Sequence, residues 1–184
     1  MFIVSCDGLS KPAKTEAEGY KPLPINIEKI LDEMIEEDVL TSFNEEYNIS
    51  TPYLHEFGID SESKGILVSS ESDSIFFAWS KWNSDSLYEI QVLSEEIVLK
   101  ANVKVGMSVA EFLELYPGSA VNLEAVNETS EYFVVNDHYE YIVEFFTKPD
   151  SRIGKYSNDR YETKVLINTE TKVNKISVRR KTNG

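Results

Sequence analysis

Ile27, Ile30, Leu31, Met34 and Ile35 recur at helical spacing, forming one apolar stripe. Asn26 precedes the stripe and reads as an N-cap, since its side-chain oxygen can accept a backbone N–H that a helix start leaves unpaired. Glu28, Asp32, Glu33, Glu36 and Glu37 occupy the other positions and are expected to face solvent. Residues 40–63 hold Leu40, Phe43, Tyr47, Tyr53, Leu54 and Phe57, yet Pro52 and Gly58 interrupt every periodicity, so this stretch reads as loop with room for a short helix. From Gly65 onward the period changes to two. Segments 66–69, 75–82, 87–93 and 95–104 are rich in branched and aromatic residues between Ser, Asp and Asn clusters, and read as strands.

Ser108 with Glu111 three residues later forms a capping box. Val109, Phe112, Leu113 and Tyr116 mark the buried side of the short helix it opens, and Pro117-Gly118 stops that helix. Segments 131–135, 139–146, 161–167 and 172–180 follow as strands, the last two expected to form a hairpin through Asn168-Thr169-Glu170-Thr171. The order predicts an α+β fold, with a mainly antiparallel sheet, an N-terminal amphipathic helix and a short central helix. Residues 25–184 are expected to form a single domain.

Composition narrows the function. With 184 residues, 41% of them hydrophobic and 11% aromatic, the chain can build a core. No run approaches the ~20 apolar residues of a membrane-spanning helix. A net charge of −14 argues against nucleic-acid binding, which needs a basic footprint. The charge is uneven: residues 148–184 carry ten Lys/Arg against four Asp/Glu, and residues 1–147 carry eight against twenty-eight. The basic end is expected to neutralise acidic neighbours within its own sheet.

The single cysteine, Cys6, ends the run Ile3-Val4-Ser5-Cys6, the pattern that bacterial lipoprotein signal peptidase cuts. Residues 7–19 after it are polar and rich in helix breakers. Residues 1–24 therefore read as the remnant of a signal followed by a flexible tether, with Cys6 as the lipid attachment site. Such a tether of about 20 residues spans roughly 25 Å. The alternative is a cytoplasmic protein with one free thiol.

Val103-Lys104-Val105-Gly106-Met107-Ser108, followed by Phe112-Leu113-Glu114-Leu115-Tyr116-Pro117, resembles a module of uncharacterised bacterial envelope lipoproteins. In that module a strand ends in a Gly-Met-Ser turn, opens a short helix and returns as strands. The resemblance covers residues 86–147 and rests on Gly106, Ser108, Leu113, Tyr116 and Pro117. A more distant similarity runs to the small outer-membrane-assembly lipoproteins. Both imply a fold and an envelope setting, and neither carries over a catalytic residue.

Candidate chemistry is sparse. Asp60, Glu62, Lys64, Gly65 and Glu71 follow a calcium-loop spacing, but Lys64 puts a cation where an oxygen ligand belongs. His55 and His138 are far apart in sequence, and no nucleophile elbow or phosphate-cradling glycine pattern occurs. No metal, cofactor or catalytic residue is expected. Trp79, Trp82, Tyr139 and Tyr141 are the aromatic residues that a sheet with one covered face could offer to a partner. The leading expectation is a lipid-anchored envelope protein, periplasm- or surface-facing. It would bind an unknown protein or envelope ligand without catalysis, and touch the membrane through its lipid alone. The alternatives are an acidic immunity or inhibitor protein for a basic partner, and an enzyme whose pocket holds His55 or His138 beside a perturbed carboxylate.

Overall fold

The computed structural model describes residues 25–125, 128–157 and 160–181. Three α-helices are placed within them: α1 (Ile27–Glu33), α2 (Glu36–Ser42) and α3 (Val109–Leu115). The strands are β1 (Asn48–Ser50), β2 (Ile66–Ser69), β3 (Ser74–Ser80), β4 (Leu87–Val92) and β5 (Val121–Leu123). They continue with β6 (Ser130–Asn136), β7 (Tyr139–Phe146), β8 (Glu162–Thr163) and β9 (Lys175–Arg180). All nine join one sheet in the order β1-β2-β3-β4-β9-β7-β6-β5-β8, and every pairing is antiparallel. The α+β class with a mainly antiparallel sheet is what the alternating segments predicted. Cys6 and the rest of residues 1–24 lie outside the described residues.

Register explains the core. Ile66, Ala78, Ile90, Val178, Tyr141 and Val135 follow one another across β2, β3, β4, β9, β7 and β6. Val68, Phe76, Val92, Ile176, Val143 and Phe133 form the next row. With a side-chain period of two, both rows lie on one face, and all twelve residues are buried. The helices cover that face: α1 packs on β4 and β9, and α2 on β2 and β3. From α3, Phe112 stacks on Phe133 of β6, their rings 4.5 Å apart. Across the sheet, residues 51–65 fold over β3, with Phe57 stacked on Phe77 at 3.9 Å and Leu54 buried.

Four expectations from the sequence are corrected. The first helix stops at Glu33. Met34 and Ile35 are extended, the Ile35 N–H goes to the Asp38 carboxylate at 3.0 Å, and Ile35 bridges to Ser86. The break sets α1 and α2 over different strand pairs, which one straight helix could not reach. Within 40–63 the short helix that the loop left room for is a 3-10 turn at Leu54–Phe57, and the end of α2 and the three-residue β1 replace the rest of the expected loop in part.

Residues 95–104 form no strand. Ile97, Leu99, Ala101, Val103 and Val105 are buried and their neighbours exposed, yet the backbone bonds close turns: Asn102 N donates to Leu99 O and Leu99 N to Val103 O. The Lys100 N–H goes to Glu28 on α1, and the Tyr116 hydroxyl reaches Ala101 O. This segment wedges between α1 and the end of α3.

The expected hairpin of 161–167 with 172–180 is absent among the described residues. Glu162–Thr163 pairs as β8 with β5, Leu166 bridges to Gly154, and β9 sits between β4 and β7. Ile176 and Val178 need a position flanked on both sides, whereas Tyr161, Val165 and Ile167 remain in solvent.

The cations of β9 pair with acidic neighbours. Lys175 meets Glu144 at 3.2 Å, Arg179 meets Glu89 at 2.5 Å and Glu140 at 3.7 Å, and Arg180 meets Asp32 at 3.4 Å.

Candidate functional site

Helix α1, packed on β4 and β9, carries Glu28 and Asp32 one turn apart, on the side that reaches the tyrosines of β7. Opposite them, Tyr139 and Tyr141 occupy alternate positions of β7 and so project from the same face of the sheet. Four helical residues rise about 6 Å and two strand residues about 6.6 Å, so the two spacings match. The result is two parallel rungs: the Tyr141 hydroxyl donates to Glu28 Oε1 at 3.1 Å, and the Tyr139 hydroxyl donates to Asp32 Oδ2. The two rings lie 6.2 Å apart, edge to face.

Glu28 is only 2% exposed, which corrects its assignment to the solvent side of the helix. A buried carboxylate must find donors. Glu28 Oε1 takes the Lys100 backbone N–H at 2.8 Å in addition to the tyrosine hydroxyl. On a helical projection Glu28 falls beside Leu31 rather than opposite it, so the sequence held a signal for this burial.

Beyond the Asp32 rung the elements leave a cavity of about 630 Å³, bordered by Lys100, Asp137, His138, Arg180 and Lys181 as well as the tyrosines. Arg180 is held in place, with Nη1 donating to Leu87 O at 2.9 Å and Nε facing Asp32. The Lys100 ammonium sits 5.6 Å from the centre of the Tyr139 ring. Burial, reinforced by the Asp32 hydrogen bond, pushes the Tyr139 hydroxyl up to about 12. Burial and the neighbouring Glu28 push Tyr141 up as well. Both hydroxyls are therefore neutral, oriented donors at physiological pH. The lining includes no serine or cysteine. The cations and carboxylates lining this open hollow can bind a small polar or charged group.

The four aromatic residues singled out from sequence fall into two places. Tyr139 and Tyr141 stand together in the cavity wall, both buried. Trp79 lies on the opposite face, edge to face with Tyr88 at 4.9 Å, and its indole N–H has no partner among the described residues. Trp82 lies past the end of β3 in the turn to β4 and is 84% exposed. The histidines are not brought together: His138 borders the cavity, and His55 stacks on Tyr53 in the segment folded over the other face. Among the described residues no group of three His, Cys, Asp or Glu side chains is placed to hold a metal ion.

A second buried carboxylate, Glu131 on β6, has no exposure to solvent. It accepts the backbone N–H groups of Ile153 and Gly154, at 2.7 and 2.8 Å, and the Tyr156 hydroxyl at 2.7 Å. Three donors satisfy it, and it clamps the segment that follows β7. Glu89 on β4 is buried on the opposite face, held by Gln91, Ser177 and Arg179. Neither carboxylate was legible as buried from its local pattern.

No family model matches the chain, and no curated protein matches it. Among solved structures, the uncharacterized protein yfeY from Escherichia coli is similar over 79% of this chain and 88% of its own, at 15% identity and a TM-score of 0.40. At that score the likeness carries no argument about fold or function.

Proposed function

We propose that this chain is a lipid-anchored envelope protein whose α+β domain binds a small polar ligand, or a charged segment of another protein, without catalysing its conversion. Cys6 carries the lipid, residues 7–24 act as the tether, and the cavity between α1, β7 and β9 takes the ligand. The observation that carries the binding reading is the pair of Tyr–carboxylate rungs. They hold the two tyrosine hydroxyls of the cavity wall in one geometry as donors, a property that serves recognition better than proton transfer. Arg180 and Lys100 then offer cations to an anionic group, while Asp137 accepts from a donor.

Two measurements test this. The protein expressed from its own locus, with upstream sequence included, should appear in the membrane fraction beginning at Cys6 and heavier by a diacylglyceryl group. A soluble product keeping Met1 and an unmodified thiol overturns the envelope part. Amide chemical-shift changes on titrating small carboxylates, phosphates and amino acids should concentrate at residues 98–101, 137–141 and 179–181. Shifts elsewhere, or none, overturn the assignment of the cavity. Steep salt dependence towards a basic protein, with no ligand at the cavity, would instead favour the acidic inhibitor.

A further inference from the structure

Residues 152–157 and 160–167 gather positive charge and exposed apolar side chains at one end of the sheet. Lys155 and Arg160 line two adjoining hollows of about 650 and 390 Å³. Lys164 and Val165 border the first, and Arg152, Tyr161 and Ile167 border the second. Tyr161, Val165 and Ile167 are 51%, 57% and 64% exposed, three large apolar side chains within seven positions. Over 152–167 the sequence sets four cations against two carboxylates, Asp159 and Glu162. Glu128 is occupied by Arg152 at 2.9 Å, and Glu162 borders the first hollow. Beneath the patch, Glu131 holds Ile153, Gly154 and Tyr156, so its base is rigid.

Apolar tips interleaved with cations suit a surface that is itself layered, with phosphate charge above hydrocarbon. The apolar side chains enter the headgroup boundary while the cations neutralise lipid phosphates. We propose that this patch docks the domain on an anionic phospholipid surface, with Lys155, Arg160 and Lys164 on the phosphates and Tyr161, Val165 and Ile167 at the interface. Docking of this kind does not depend on a lipid at Cys6.

The test uses the full chain with Cys6→Ser, so that no acyl group can contribute. It should sediment with vesicles containing phosphatidylglycerol and not with vesicles of phosphatidylcholine, and added salt should release it. Replacing Lys155, Arg160 and Lys164 together by Ser should weaken vesicle binding about a hundredfold. Each cation near an anionic surface contributes about 1 kcal/mol, or about fivefold. Replacing Tyr161, Val165 and Ile167 by Ser should also weaken binding and leave what remains more salt-sensitive. The charge-matched control Lys29→Ser, Lys81→Ser, Lys104→Ser should keep full affinity. All these side chains are exposed, and an unchanged urea midpoint checks that each variant is folded. Equal binding to both vesicle types, no binding to either, or an equal loss in the control overturns the proposal. Complete competition by inorganic phosphate at constant ionic strength would also overturn it, in favour of a discrete anion site.

Discussion

The Tyr141 hydroxyl donates to Glu28 Oε1 at 3.1 Å, joining residues 113 positions apart in a contact from which water is excluded. The same oxygen takes the Lys100 backbone N–H. One carboxylate thus ties α1 to both β7 and the irregular segment 95–104. Removing it strands a buried hydroxyl and a part-buried amide, the former carrying a desolvation penalty of about 1–3 kcal/mol and the latter less.

Glu28→Ala should therefore destabilise the domain by about 3 kcal/mol in urea unfolding. Tyr141→Phe should cost about 1 kcal/mol, because Glu28 keeps the Lys100 N–H. The double variant should cost less than the sum, since both changes delete the same bond. Strict additivity would show that the two residues do not interact.

Alkaline titration should separate the tyrosines. Tyr139 is raised to about 12 from an ordinary value near 10, and Tyr141 and Tyr156 are raised as well. A raised folded-state value means that the native protein retains protons which the unfolded chain releases. The stability linked to Tyr139 is complete below pH 10 and is lost as the pH climbs through about 12, and that linked to Tyr141 and Tyr156 persists to higher pH. Absorbance near 295 nm should show a late group of ionisations coinciding with unfolding. Tyr139→Phe should remove part of that group and flatten the stability profile between pH 10 and 12.

At the opposite end, Glu131→Ala should cost about 3–5 kcal/mol, since it leaves two backbone amides and a tyrosine hydroxyl without their acceptor. Glu131→Gln keeps an acceptor oxygen and should cost less. Amide exchange at Ile153 and Gly154 should speed up in the Ala variant while the β4–β9–β7 centre stays protected. Protection unchanged at 153–154 would refute the clamp.

Gly65→Ala is expected to destabilise through crowding. A Cβ there would sit 2.4 Å from the Phe77 ring and 2.7 Å from the Ala78 carbonyl, and Phe77 is already stacked against Phe57. Overpacking of this kind costs about 1–3 kcal/mol. Near-ultraviolet circular dichroism should also change as the Phe57–Phe77 stack is displaced.

The amino-acid sequence by itself determined the antiparallel α+β class, because alternation is a local property that fixes which side chains turn inward. It located Ser108 and Glu111 as reciprocal caps of α3, and the structure shows both bonds. It read 95–104 as a strand, and there the side chains do alternate in burial from Ile97 to Val105 without belonging to any strand. Pattern fixes facing, and only a neighbouring chain segment makes a ladder. Where β9 inserts was decided by tertiary structure: a central position needs partners on both sides, and β4 and β7 lie far from it in sequence. The same holds for the candidate site. Glu28, Asp32, Lys100 and Arg180 come from three separate stretches of chain and meet Tyr139 and Tyr141 only after α1 has docked. The match between helical and strand rise that pairs them is a relation between two elements, so neither element records it alone.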